Sequence, residues 1–148
     1  RMVLKPAPCD HGIRFRRTDL SGQPTIAASF HQVVDTRLAT SLGANRILIS
    51  TVEHLMAALA GLCIDNVLIE LDGPEVPILD GSAAPFLEVL RGTGQRTQNA
   101  LRKVIKVQRP ILIREGDAYI KAYPSDHFRV RYSIDFPHPL VGRQEYTF

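Results

Sequence analysis

Apolar and polar positions along the chain follow two periods, and the change from one to the other marks out the elements. Met2 to Leu4 reads as the tail of a strand, closed by Pro6-Ala7-Pro8. Gly12 to Arg17 alternates Ile13 and Phe15 with basic residues, the period-2 signature of a half-exposed strand. Thr18 to Pro24 has turn composition, and Thr25 to Phe30, Val33-Val34, Arg37 to Leu42 and Arg46 to Ile49 continue the β pattern, with a turn at Gly43-Ala44-Asn45. The period then changes. Val52, Leu55, Met56 and Leu59 recur at i, i+3, i+4 and i+7, which predicts a helix from about Thr51. Ser50 and Glu53 fit an S-x-x-E capping box at its start, and Gly61 supplies its end.

Ile64-Asp65-Asn66 is turn chemistry leading into Val67 to Leu71, an apolar run short enough to be a central strand and stopped by Asp72-Gly73-Pro74. Ser82 is the expected N-cap of a second helix, Ala83 to Leu90, burying Phe86, Leu87 and Leu90. Gly92 to Asn99 is polar, with two glycines and no apolar period, so it reads as a linker. Four more strands are expected at Lys103 to Val107, Ile111 to Arg114, Ala118 to Tyr123 and Phe128 to Phe136, with a hairpin turn at Glu115-Gly116-Asp117; another begins at Tyr146.

The fold class is therefore α+β. Residues 1–92 form a first domain of sheet and helices that opens on a strand whose start is missing, 93–102 a linker, and 103–148 the β portion of a second, similar domain. That second sheet has an apolar face without a helix to cover it, so its partner is expected outside this sequence, and the chain reads as a fragment.

Composition narrows the function classes. Of the 148 residues, 45% are hydrophobic and 22% charged, which is globular. No apolar run approaches the ~20 residues of a membrane span, and no basic-then-apolar leader opens the chain. Cys9 and Cys63 have no metal-ligand spacing; Cys63 is expected to pack in an apolar setting, and a reducing cytosol fits best. The net charge of +3 is modest and dispersed, which argues against nucleic acid and suits an anionic small molecule or an acidic membrane surface equally.

Candidate chemistry begins with Glu53 and His54, side by side at the start of the first helix. Alone, the pair is a cap and a first-turn polar residue. The surroundings change that. Asp35-Thr36, Ile49-Ser50-Thr51-Val52-Glu53-His54-Leu55, Ala57-Ala58-Leu59, Ile64-Asp65-Asn66, Pro74 to Phe86 and Ile134-Asp135-Phe136-Pro137-His138-Pro139 occur in order, and together they resemble the UDP-3-O-acyl-N-acetylglucosamine deacetylases, zinc enzymes of lipid A synthesis in Gram-negative bacteria.

The resemblance implies that His54 is one of three protein ligands to a catalytic zinc and Glu53 the general base toward a water whose pKa the metal lowers. The other two ligands, a histidine and an aspartate, and a histidine acid have no match here and are expected beyond Phe148. His11, His31, His127 and His138 have no i, i+3 or i+4 partner and do not replace them. Phe136 matches the position that stacks on the uracil of the substrate; read alone it is a core aromatic. Ala118 stands where some members carry a lysine near the diphosphate, so either another basic side chain serves that group, with Arg143 a candidate, or nucleotide binding is weaker. Asp80 is a turn-and-cap residue that could also orient the catalytic groups.

The partners implied are the UDP-linked acylated glucosamine, the remainder of the same enzyme, and peripheral contact with the inner membrane from the cytoplasm, with no nucleic acid. Two other readings stand beside this one: a folded, non-catalytic fragment, and a sugar-nucleotide-binding domain that holds no metal.

Overall fold

The structure, a computed structural model, describes residues 1–148. The chain divides into two compact units, 1–102 and 103–148, and has an α+β fold.

The first unit contains β1 (Met2–Pro6), β2 (Ile13–Arg17), β3 (Thr25–Ala27), β4 (Val33–Asp35), β5 (Ser41–Ala44), β6 (Ile47–Ile49), α1 (Glu53–Gly61), β7 (Val67–Leu71) and α2 (Ala84–Thr93). One sheet has the order β1-β7-β2-β3, and a second, antiparallel sheet runs β4-β5-β6. The apolar run of β7 takes an interior place, antiparallel to β1 and parallel to β2. Its Val67, Ile69 and Leu71 enter the core with Phe15, Ile49, Leu55, Leu59, Val76 and Phe86, so both sheets and both helices share one apolar cluster. On the opposite face Glu70 receives Lys5 at 2.8 Å and Arg16 at 3.2 Å, which matches the polar half of the alternation.

Several boundaries differ from the sequence pattern for identifiable reasons. β3 stops at Ala27, because Ser29 caps a 3-10 turn over Phe30–Gln32. Arg37 to Thr40 is not strand: Asp35 bonds the Arg37 backbone and guanidinium and bends the chain there. β5 includes Gly43 and Ala44, and the reversal falls on Asn45 and Arg46, both at positive φ (48° and 68°), as a two-residue hairpin turn requires. α1 starts at Glu53, two residues later than its period suggested, and has no side-chain cap. Gly61 remains helical; Cys63, at φ 56°, is the left-handed residue that ends α1, and it is exposed rather than packed. α2 follows Ala83, with the Ser82 hydroxyl accepting from the Ala84 N–H at 3.1 Å; Phe86 is buried, Leu87 and Leu90 only partly.

Beyond α2, residues 94–102 are irregular but attached to the first unit. Gln95 donates to the Leu62 carbonyl, Gln98 to the Ala7 carbonyl, and Arg102 to Asp65. Asn66 joins this set, accepting from the Gly12 N–H and donating to Gln98.

The second unit consists of two separate antiparallel hairpins, β8 (Ile111–Glu115) with β9 (Ala118–Ala122), and β10 (Arg131–Asp135) with β11 (Arg143–Thr147). The turn between β8 and β9 is Gly116-Asp117, with Gly116 at φ 56°. Lys103 to Val107, expected as a strand, is irregular, since no neighbouring strand pairs with it. β10 is shorter than its apolar pattern, and β11 begins at Arg143 rather than Tyr146.

Candidate functional site at the start of helix α1

Three backbone segments meet where α1 begins. Ser50 forms a parallel bridge with Glu75: its N–H donates to the Pro74 carbonyl at 2.8 Å, and the Val76 N–H donates to its carbonyl at 3.1 Å. The Ser50 hydroxyl accepts from the Ser41 hydroxyl at 3.0 Å, and the Val52 N–H donates to the Thr40 carbonyl at 3.3 Å. The Ser50 N–H, the group a capping-box glutamate would accept from, is thus taken by Pro74, and α1 has no side-chain cap.

This releases the Glu53 carboxylate. Glu53 and His54 are both partly exposed, and Glu53 Oε2 accepts the Thr40 N–H at 3.0 Å. One carboxylate oxygen is therefore fixed by backbone, while Oε1 has no protein partner and is available to a proton donor. The negative charge also lies in the first turn of a helix, where the macrodipole stabilises it. The His54 ring makes no hydrogen bond within the chain, so both ring nitrogens are open to a ligand.

Between Ser50 and Glu53 the chain passes through Thr51, which is buried and stands at φ 61°. A β-branched residue in the left-handed region is a backbone outlier. Its hydroxyl donates to Glu75 Oε1 at 2.7 Å. Neither Thr40, Thr51 nor Glu75 was singled out by the sequence pattern. No period or motif encodes a positive φ at threonine, and the partners lie 13 and 24 residues apart in the chain.

The other expected site residues are one in the first unit, Asp80, and two in the second, Phe136 and Arg143. Asp80 Oδ1 accepts from the Ser82 N–H and hydroxyl, both at 2.9 Å, which builds the turn before α2; it has no bond to Glu53 or His54. In the second unit, Phe136 follows β10 and Arg143 opens β11 directly opposite Asp135. The Phe136 N–H donates to the Gly142 carbonyl at 3.1 Å, so Phe136 and Arg143 share one end of that hairpin. Phe136 is 55% exposed and is not a core aromatic in this chain. Its loop is closed by His138, whose carbonyl receives Val141 and Gly142 and whose Nδ1 accepts from Leu140. Ala118 pairs with Glu115 beside the hairpin turn, and the nearby Lys121 ammonium lies over the Tyr119 ring at 4.9 Å.

No three His, Cys, Asp or Glu side chains of the chain come together in a group that could hold a metal. A catalytic zinc takes three protein ligands. His54 suits one of them, but the residues of this chain do not complete such a set, and no reaction step follows from metal held by them alone. No helix is long and apolar enough to cross a membrane.

The sequence matches the family described as "LpxC: UDP-3-O-acyl N-acetylglycosamine deacetylase" over residues 1–148. It is 48% identical over 145 residues to the UDP-3-O-acyl-N-acetylglucosamine deacetylase of Myxococcus xanthus, covering 98% of this chain and 46% of that one. The enzyme of the same name from Acidithiobacillus ferrooxidans is 48% identical over 146 residues, with 97% and 48% covered. That from Thermosynechococcus vestitus is 47% identical over 147 residues, with 99% and 52% covered. The chain spans about half the length of the curated relatives it matches. With the whole of its sequence matched and nearly half of its residues shared with these relatives, the chain belongs to the UDP-3-O-acyl-N-acetylglucosamine deacetylase family.

Proposed function

We propose that the protein deacetylates a UDP-linked, 3-O-acylated N-acetylglucosamine in lipid A synthesis, with Glu53 as general base and His54 as one ligand to a catalytic zinc. The reading is carried by one observation: Glu53 is held through Oε2 by the Thr40 amide while Oε1 stays open, beside an unpartnered His54. When bound, zinc supplies a lowered pKa for water, from ~16 toward ~7. The base needs only a fixed carboxylate within reach of that proton. Glu53 takes one proton of the water whose oxygen adds to the acetyl carbon, and as the C–N bond breaks that proton and the second water proton pass to the nitrogen, so that acetate and the protonated amine leave and the carboxylate is restored. The Phe136 ring stacks on uracil and Arg143 meets the diphosphate from the same hairpin end. Asp80 orients the loop before α2.

In this reading residues 1–92 form the first domain, 93–102 link it onward, and 103–148 open the second. The reaction is cytoplasmic, and the acyl chain brings the enzyme to the inner membrane surface. The test uses the full-length protein. Glu53→Gln is expected to keep stoichiometric zinc and lose turnover by about 10²- to 10⁴-fold, whereas His54→Ala loses the metal. Unchanged turnover in the first variant removes Glu53 from the mechanism, and full zinc in the second removes His54.

A second reading concerns the 148-residue chain by itself, which brings no three-ligand group together. We propose that it is a folded piece without deacetylase activity. Chelator-sensitive amide hydrolysis by the isolated chain would contradict this, and metal-independent UDP binding would mark a sugar-nucleotide-binding module.

A further inference from the structure

The residue before α1's flanking Val52 is a conformationally costly choice for its place. Thr51 stands at φ 61° and is 5% exposed, where glycine would adopt the same backbone without strain. A β-branched residue persists in that region only where its surroundings over-determine it. What threonine brings and glycine lacks is the hydroxyl, and that hydroxyl meets Glu75 Oε1 at 2.7 Å. Glu75 is itself anchored, since the backbone on either side of it bonds Ser50 at 2.8 and 3.1 Å. The next two residues after Thr51 both close on Thr40, Val52 through its N–H and Glu53 through Oε2.

We propose that Thr51 and Glu75 are positioning residues, whose hydrogen bond locks the left-handed turn and thereby sets the direction in which the first turn of α1 presents Glu53 and His54. The proposal rests on the reading of Glu53 as the base. Without the lock, the turn relaxes toward ordinary backbone, and the Glu53 carboxylate leaves the Thr40 amide. A displacement of about 1 Å at a reacting group costs up to about 100-fold in rate, so the loss belongs in kcat and not in substrate binding.

The experiment compares variants of the full-length enzyme by kcat, KM, and exchange of the Thr40 amide relative to the Ile69 amide in the central strand. Thr51→Val keeps the shape without the hydroxyl, and Glu75→Met removes the acceptor. Thr51→Gly also lacks the hydroxyl but accepts the positive φ, so it guards against a variant that fails to fold. All three are expected to lower kcat by about 10- to 100-fold with KM nearly constant, and to speed Thr40 exchange. Thr51→Ser and Glu75→Gln, which keep donor and acceptor, restore both. Wild-type kcat and Thr40 protection in Thr51→Gly would overturn the proposal, as would activity that follows only the folded fraction. Faster Thr40 exchange with unchanged kcat would leave the lock standing and remove Glu53 as the base.

Discussion

Arg17 and Asp19 form the most enclosed charged pair of the first unit. Arg17 Nε and Nη2 donate to the two Asp19 oxygens at 2.8 and 2.6 Å, and Nη1 donates to the Leu48 carbonyl at 2.8 Å. One guanidinium thus ties β2 to β6, with its side chain only 8% exposed. Hydrogen bonding from Arg17 holds the Asp19 carboxyl below its ordinary value and raises Arg17 in turn. Because the folded Asp19 pKa is the lower one, the pair stabilises fully above the unfolded carboxylate value of about 4. That stability is lost as pH falls through the folded value. Asp19→Asn is therefore expected to lower the urea midpoint at pH 7 and to flatten its decline as pH falls below about 4. An unchanged acid limb in the variant would exclude this pair. Asp35 is also held low by Arg37, but that guanidinium is 87% exposed and solvent screens the pair, so Asp35→Asn should leave the acid limb nearly as it was. Arg17 shows why residue-level detail was only partly legible. Alternation set Ile13 and Phe15 against the basic residues of β2, and it gave no sign that Arg17 is buried on the same side as Phe15. Only the spatial return of Asp19 and Leu48 makes an inward arginine tolerable.

At the scale of elements, α1 was legible where packing dictates it and illegible where neighbours do. Val52, Leu55 and Leu59 are buried as the helical spacing required, and Met56 is half-buried at the margin of the stripe. Leu59→Ala should cost about 2–5 kcal/mol in chemical denaturation, and Met56→Ala distinctly less. Comparable losses at the two positions would mean that the stripe does not face the core as described. The start of α1 could not be read in the same way, because S-x-x-E is a local pattern and the Ser50 amide is taken by Pro74 through a bridge across 24 residues. The antiparallel β5 makes a tighter case. A Cβ on Gly43 would lie 2.9 Å from Val34 Cγ2 on β4, so Gly43→Ala forces that side chain or the strand to move. The expected loss is about 1–3 kcal/mol, read from the urea midpoint at constant slope, and no loss would show that β4 yields freely.

The two units differ in what their apolar surface meets. In residues 1–102 the sheets and helices close over a shared core. In residues 103–148 the alternation that made the hairpins recognisable leaves whole faces open. Ile111, Ile113 and Ile120 lie on one face of β8–β9, opposite Leu112, Arg114, Tyr119 and Lys121, and all three isoleucines are exposed. On β10–β11, Tyr132 and Tyr146 are cross-strand partners on an exposed face, with Val130 and Phe148 paired beyond them. The sequence announced this need for a cover, since a one-sided apolar sheet without a helix has nothing to bury against; it could not supply the cover's identity. A lone two-stranded hairpin is marginal in water, and the ion pair of Arg131 with Glu145 on the other face is exposed and adds little. Backbone amides are therefore expected to separate the units in hydrogen exchange of the 148-residue chain. Those of β7 should exchange only with global unfolding, while those of β8 to β11 exchange by local opening orders of magnitude faster. In a protein of the relatives' length the same hairpin amides should become protected. Equal protection of both units in the 148-residue chain would mean that these hairpins are stable without any cover.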